Sequence, residues 1–188
     1  MANKINTNDI GSFVSSFLVE HLIGGRYQDV IQGRYGLKSG EPQTLQAIGD
    51  RYGITRERVR QIEALALSSL KAKAEASPYF KSFIQKSIGH LKAVGGAQKE
   101  ELFFTNLHKT VGDRGQVISF ANQARLLLEL SGKFSSYKDS YNKDWHCYWY
   151  LSDADAKKSQ SFVNKVVSTL NERKEEVLTS SKFNEVVN

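Results

Sequence analysis

Residues 44–71, TLQAIGDRYGITRERVRQIEALALSSLK, decide the fold of this chain, because their pattern is that of two helices joined by a short turn. Thr44 and Thr55 are residue types that favour the N-cap position of a helix. Gly53 can adopt the left-handed conformation that ends a helix, and only Ile54 separates it from the second cap. A connection this short fixes the angle between the helices, so the stretch predicts a helix-turn-helix.

The second helix of this pair has two different faces. Apolar residues recur at three- and four-residue intervals and predict a buried face. That face comprises Val59, Ile62, Ala66 and Leu70. The opposite face carries Arg56, Glu57, Arg60 and Gln61 in its first two turns. Arg, Glu and Gln match guanine, cytosine and adenine edges in the major groove, so we interpret these residues as base-contacting; a merely solvated face is the alternative.

The run GITRERVRQIEALAL (residues 53–67), continued upstream by RYGLKSGEPQTLQAIGDRYG (residues 34–53), resembles region four of bacterial primary sigma factors. That module reads the −35 element of promoters, and the resemblance extends over about residues 23–71. It implies that the four residues named above contact base edges. It also implies that another set contacts, or lies beside, the DNA backbone: Arg34, Thr44, Leu45, Thr55 and Arg58.

The sequence departs from the sigma pattern in two places. Leu65 and the pair Ser68-Ser69 stand where the family is usually basic, and we expect Leu65 to be buried against a neighbouring domain. Gly24-Gly25 replaces a Pro-containing helix entry. Since the family docks on RNA polymerase partly through its first helical pair, this second departure leaves polymerase docking open.

Composition excludes several other classes of protein. The chain has 188 residues, a formal charge of +6 and a pI near 9.3, a balance that suits a polyanionic partner. A single cysteine, Cys147, excludes an internal disulfide, and the four histidines are scattered, so we expect no metal, no cofactor and no enzymatic activity. No apolar run approaches the roughly 20 residues of a membrane span, and the N-terminus lacks a signal-peptide pattern. We therefore expect a cytoplasmic, nucleoid-associated protein.

Three segments follow from the pattern of helices and breaks. Residues 1–76 form the sigma region-four-like domain, which begins with an amphipathic helix capped by Asn8 or Asp9 and ends before Pro78. Residues 77–153 contain three amphipathic helices and then alternating residues in DWHCYWYL (144–151), with 134–137 as a partner strand. This order is typical of a winged helix. The expected fold is thus mainly α with a small β hairpin.

A DNA-binding winged helix inserts its third helix in the major groove and touches the backbone with its wing. This would make a second DNA surface from Arg114, Asn122, Gln123, Arg125, Lys138 and Lys143. Winged helices that bind only protein are the alternative here.

Residues 154–188 are expected to form a C-terminal helical segment. Its apolar stripe consists of Phe162, Val163, Val166, Val167, Leu170, Val177 and Leu178. The stripe either packs back on the winged helix or makes a homodimer.

The sequence favours a sequence-specific double-stranded DNA-binding protein acting in transcription. Alternatives are a sigma-like initiation factor that binds RNA polymerase, a protein-interaction module, and the DNA-targeting part of a larger mobile-element or defence protein. Co-purification with polymerase separates the first of these alternatives from the favoured function.

Overall fold

The computed structural model describes residues 9–137 and 147–173, and over these ranges the chain is mainly helical with one small sheet. The helices are α1 (Ile10–His21), α2 (Gly25–Arg34), α3 (Leu45–Tyr52), α4 (Arg56–Ala74), α5 (Pro78–Ala93), α6 (Glu100–Val111), α7 (Val117–Ser131) and α8 (Asp153–Glu172). The strands are β1 (Ala97–Lys99), β2 (Ser135–Tyr137) and β3 (Tyr148–Tyr150). The predicted fold class is confirmed.

Helices α2, α3 and α4 enclose a small core of their own. Val30, Ile48, Val59 and Ile62 are buried together there. Two of these residues belong to the apolar face predicted for the second helix of the helix-turn-helix. Burial of that face holds α4 against α2 and α3 and leaves its polar face outward.

The segment from α5 to β3 has the element order of a winged helix. Its sheet is antiparallel with strand order β1-β3-β2. Strand β1 was not predicted from the sequence. Three residues are too short for alternation to show, and the strand exists through its pairing of Lys99 with Tyr148 in β3. The predicted partner strand is confirmed as β2, whereas Trp145 and His146 lie outside the described residues.

A larger core joins the two halves of the chain, the helix-turn-helix half (α1 to α4) and the segment from α5 to β3. Leu70 of α4, Leu91 of α5, Phe103 of α6 and Leu127 of α7 are all fully buried in it, and α1 contributes Leu18. The boundary between residues 76 and 77 falls between α4 and α5 and stays a prediction. The core extends on both sides of that boundary, so α1 and the second half of α4 depend on α7 for their burial.

A carboxylate fastens α1 to the loop between α6 and α7. The backbone N–H of Ile10 donates to Asp113 at 2.8 Å, although 103 residues separate them. Asp113 also accepts from the N–H of Gly115 at 2.7 Å, and its side chain is only 1% exposed. Asp9, the predicted cap, accepts from Gly11 and Ser12 of its own helix. The N-terminus of α1 is therefore held both by its own cap, Asp9, and by Asp113 in the loop between α6 and α7.

Helix α8 differs from the others in how little of it is buried. Ala156 is its only buried residue in the described range, and its contacts are with β1 and β3. The expectation that its stripe packs back on the winged helix is wrong for the described residues, since Phe162, Val163 and Val167 are exposed. Val177 and Leu178 lie outside the described residues. None of the described helices is long and apolar enough to cross a membrane.

Candidate nucleic-acid interface

The turn between α3 and α4 is built by two glycines. Gly53 has φ 61° and ψ 35°, the left-handed conformation predicted for it. Gly49 lies in α3 where a Cβ would approach the carbonyl oxygen of Ile54 to 2.6 Å, so only glycine allows this close packing. Thr55 then caps α4 by accepting from the N–H of Arg58 at 3.2 Å. These contacts fix the direction in which α4 leaves the turn.

The four side chains predicted to contact bases all lie exposed on the first two turns of α4. Arg56, Glu57, Arg60 and Gln61 have their side chains in solvent. In the free protein, Arg60 donates to Glu57 through Nε at 2.8 Å and Nη2 at 2.7 Å. Arg58 donates to Gln61 through Nη1 at 3.2 Å. In the free protein, side chains on the polar face of α4 thus form hydrogen bonds with one another.

The pairing of Glu57 with Arg60 affects both charges. The pKa of Glu57 lies below its ordinary value, chiefly because Arg60 donates to it, and the pKa of Arg60 is raised by the same contact. Both groups are therefore ionised near neutral pH. The ion pair is exposed to water, where such pairs contribute little, so base edges can replace each partner at small cost.

Three of the predicted backbone contacts are well placed for phosphates. Thr44 and Thr55 are exposed caps at the N-termini of α3 and α4, where backbone N–H groups favour an anion. Arg58 is exposed beside Thr55, and Leu45 is half-buried in the first turn of α3.

Arg34 makes contacts within the protein. Its Nε donates to Glu63 at 3.0 Å, and its Nη1 donates to the carbonyl oxygen of Gln43 at 2.6 Å. The side chains of Arg34 and Glu63 are only 29% and 16% exposed. In the free protein, Arg34 therefore ties α4 to the segment that precedes α3, and its contact with the DNA backbone stays a prediction. The sequence analysis did not identify Glu63 as the partner of Arg34. The one sign of it in the sequence is a carboxylate next to the apolar face of α4.

The predicted second DNA surface is not assembled by α7. Asn122 is 2% exposed and donates to the carbonyl oxygens of Gly36 and Gly40, at 3.2 Å and 2.8 Å. Arg125 donates to Asn122 and to Glu100, at 2.7 Å and 2.8 Å. Both side chains form hydrogen bonds within the protein, because α7 packs against the helix-turn-helix half. Asn122 is therefore too buried to contact DNA in this arrangement, so its assignment is wrong, whereas the assignment of Arg125, whose side chain is 27% exposed, stays a prediction.

The remaining members of that predicted surface are scattered. Gln123 is half-buried and donates to the hydroxyl of Ser119 at 3.3 Å, whereas Arg114 is exposed in the loop before α7. Lys138 and Lys143 lie outside the described residues.

Leu65 is also placed differently from our expectation. Its side chain is 56% exposed, so the predicted burial against a neighbouring domain is wrong. The interdomain contact does exist, but Ala66 and Leu70 make it, at 1% and 0% exposure. Adjacent residues on a helix point about 100° apart, which leaves Leu65 on the solvent side of that contact.

Comparisons with known proteins agree with the resemblance. Residues 25–72 match the family model for sigma-70, region 4. RNA polymerase sigma factor sigB of Arabidopsis thaliana is 49% identical over 51 residues, which cover 27% of this chain and 9% of that protein. SigA1 of Synechococcus elongatus and SigA of Nostoc sp. are each 52% identical over 46 residues, covering 24% of this chain and 12% of theirs.

These matches confirm that the helix-turn-helix half resembles region four of sigma factors. The matched segment is about a tenth of the length of those curated relatives. The candidate site thus lies on a helix-turn-helix that resembles sigma region four and shares a core with a second segment, whose elements have the order of a winged helix.

Proposed function

We propose that this chain is a sequence-specific double-stranded DNA-binding protein that acts in transcription. It reads a −35-like element with the first two turns of α4. The observation that carries the proposal is the exposure of Arg56, Glu57, Arg60 and Gln61 on one helix whose direction is set by Gly49 and Gly53. A recognition helix meets base edges with these first turns.

The charges of the chain support the same function. A net charge of +6 favours approach to a polyanion, and Thr44, Thr55 and Arg58 border the base-reading face. Contacts to phosphates fix the register of the helix but carry no sequence information. Specificity then rests on the four side chains of α4. This function needs no catalytic step and no cofactor, and the protein then lies with DNA in the nucleoid.

RNA polymerase is a second candidate partner, because the relatives that match residues 25–72 are named RNA polymerase sigma factors. One observation limits the form of such binding. The apolar face of α1, with Val14 and Leu18, is covered by the larger core and its helix α7. A polymerase would have to use the outer side of α1 and its connection to α2, where Val19 and Ile23 are 66% and 93% exposed.

Polymerase binding is tested separately from DNA binding. A Val19→Glu/Ile23→Glu variant should lose any co-purification of polymerase core enzyme and keep its affinity for duplex DNA. Equal polymerase recovery with wild type and variant would contradict docking on this side of α1. We also propose that two copies associate through α8, which would bring two recognition helices to one DNA.

The main test measures binding of the full chain to a duplex with a TTGAC-like core by fluorescence anisotropy at several salt concentrations. Each phosphate neutralised contributes about −0.9 to the slope of log affinity against log salt, and we expect a slope on the order of −3 to −6. A duplex with the core scrambled is the control. Equal affinity for both duplexes, or no binding at low salt, would contradict the proposal.

A further inference from the structure

The outward face of α4 continues beyond the four side chains that we propose to read bases. At about 100° per residue, Lys71 lies about 20° from Arg60 around the helix axis. It is exposed and falls within the arc that runs from Arg56 to Gln61. At 1.5 Å per residue, Lys71 is also about 16 Å beyond Arg60 along the axis. The major groove is about 12 Å wide, so a cation at this distance is past the base edges and level with the phosphates that border the groove.

The segment from α5 to β3 brings two further lysines to the same end of α4. A Cβ on Gly132, the residue that ends α7, would lie 3.4 Å from Nζ of Lys71. Lys133 follows Gly132 and is exposed. Lys81 of α5 lines one cavity with Lys133 and with Glu75, which is four residues after Lys71 and therefore on the same face of α4. Three separate parts of the chain thus form one lysine surface, which consists of Lys71, Lys81 and Lys133.

The lysine surface is positively charged and exposed to solvent. Among the residues that the structure describes, none of its three ammonium groups forms an ion pair. Glu75 is the one carboxylate among the described residues that line the shared cavity. A cluster of cations of this kind attracts a polyanion. The alignment of Lys71 with Arg60 indicates which polyanion, because a duplex read by the first turns of α4 carries phosphates past this end of the helix.

We propose that the lysine surface binds the phosphate backbone of the duplex whose base edges face the first two turns of α4. The inference rests on the proposed function and adds a second contact surface to it. The segment from α5 to β3 then increases affinity for DNA through Lys81 and Lys133. It adds no sequence information, because contacts to phosphates act alike on every sequence.

Salt titrations of the full chain with the core duplex and with the scrambled duplex test the lysine surface. Lys71→Gln/Lys81→Gln/Lys133→Gln should make the slope of log affinity against log salt less steep by about 2.7, since each lost phosphate contact removes about 0.9. The ratio of the affinities for the two duplexes should stay that of wild type. The Tm should also be unchanged, because all three side chains are exposed.

Lys73 provides a matched control on the same helix. It is exposed as well, but it lies about 200° around the axis from Lys71 and lines a cavity with Phe13 and Phe17 of α1. Lys71→Gln alone should make the salt slope less steep by about 0.9, whereas Lys73→Gln should leave it unchanged. Equal effects of the two variants would mean that only the net charge of the chain matters, and the placement of the surface would be wrong.

Glu75 tests the sign of the interaction. Its carboxylate repels phosphates that approach the lysine surface, so Glu75→Gln should tighten binding to both duplexes alike, by about two-fold to five-fold. Weaker binding by this variant would contradict a phosphate contact beside Glu75.

The same titrations separate a failure of this inference from a failure of the proposed function. If wild type prefers the core duplex and the triple variant keeps the wild-type slope, the lysine surface is wrong and base reading by α4 stands. If wild type binds both duplexes equally and the triple variant has a less steep slope, the lysine surface stands and base reading is wrong. Absence of binding to either duplex at low salt refutes both.

Discussion

Helices α4 and α7 are both third helices of a motif that binds DNA in other proteins, and they differ in what surrounds them. The first turns of α4 keep Arg56 and Arg60 in solvent. By contrast, α7 is buried along most of its length, and its polar residues Asn122 and Arg125 bond to other parts of the chain. The third helix therefore has an exposed polar face in one half, and in the other half it is used for internal packing.

The difference teaches that polar residues on a predicted recognition helix are not enough to assign a DNA surface. Asn122 has the chemistry to bond adenine, but the carbonyl oxygens of Gly36 and Gly40 take its donors. On α4 the side chains that we propose to read bases bond mainly to neighbours on the same exposed face. On an exposed face, side-chain pairs contribute little to stability, so a ligand can replace each partner at small cost.

The largest effect is expected at Gly49, whose packing positions α4. Gly49→Ala places a Cβ against the carbonyl oxygen of Ile54, and we expect it to cost about 3 kcal/mol of unfolding free energy and to abolish DNA binding. Gly89→Ala is the matched control, because Gly89 is also helical and nothing lies near its missing Cβ. Chemical denaturation of both variants measures the difference; equal stability would contradict the close packing of the turn.

A second variant examines α7. Asn122→Ala removes the side-chain donor to the carbonyl oxygens of Gly36 and Gly40 and one acceptor of Arg125, so stability should fall by about 2 kcal/mol. Gln123→Ala, next in sequence and half-buried, should cost less than about 0.5 kcal/mol. If Asn122→Ala instead lowers DNA affinity at unchanged thermal stability, α7 contacts DNA and the contrast with α4 disappears.

The third variant concerns base reading by α4. Arg60→Ala should cost about 1–3 kcal/mol of binding free energy and relax preference at one base pair, since a bidentate contact is lost. Arg58→Ala should weaken binding to all duplexes alike, because phosphates carry no sequence. Anisotropy titrations with single-base-pair substitutions in the site separate the two. Uniform loss from both variants would show that Arg60 also contacts only the backbone.

The smallest effect is expected at Leu65. Because this side chain is 56% exposed, Leu65→Lys should change stability by less than about 0.5 kcal/mol. It should also make the salt slope steeper by about 0.9 if the new cation meets a phosphate. Thermal denaturation and salt titration measure both quantities, and a clear loss of stability would mean that Leu65 has an apolar partner after all.

The helix-turn-helix could be predicted from the sequence because its signals are local. Thr44, Gly53 and Thr55 mark helix ends within a few residues of the side chains that they position, and the apolar spacing of α4 specifies its inner face. The mainly helical class and the strands near residues 135 and 149 followed from periodicity in the same way.

What could not be predicted depends on contacts between distant residues. Asn122 is 86 residues from Gly36, and no local pattern indicates that they meet. Arg34 was assigned to the DNA backbone by resemblance, and nothing local indicated that it pairs with Glu63, 29 residues further along the chain. Leu65 shows the limit of helical spacing, since a shift of one residue to Ala66 moves the interdomain contact by about 100°.

Selection of duplexes from a random pool by the full chain tests most directly whether α4 alone reads the sequence. The full chain is needed because α1 and α4 share their core with α7. We predict enrichment of a TTGAC-like core by the wild-type chain and by Gln123→Ala, with one position relaxed for Arg60→Ala. Enrichment of no core, or of the same core with full stringency by Arg60→Ala, would contradict reading by the first turns of α4.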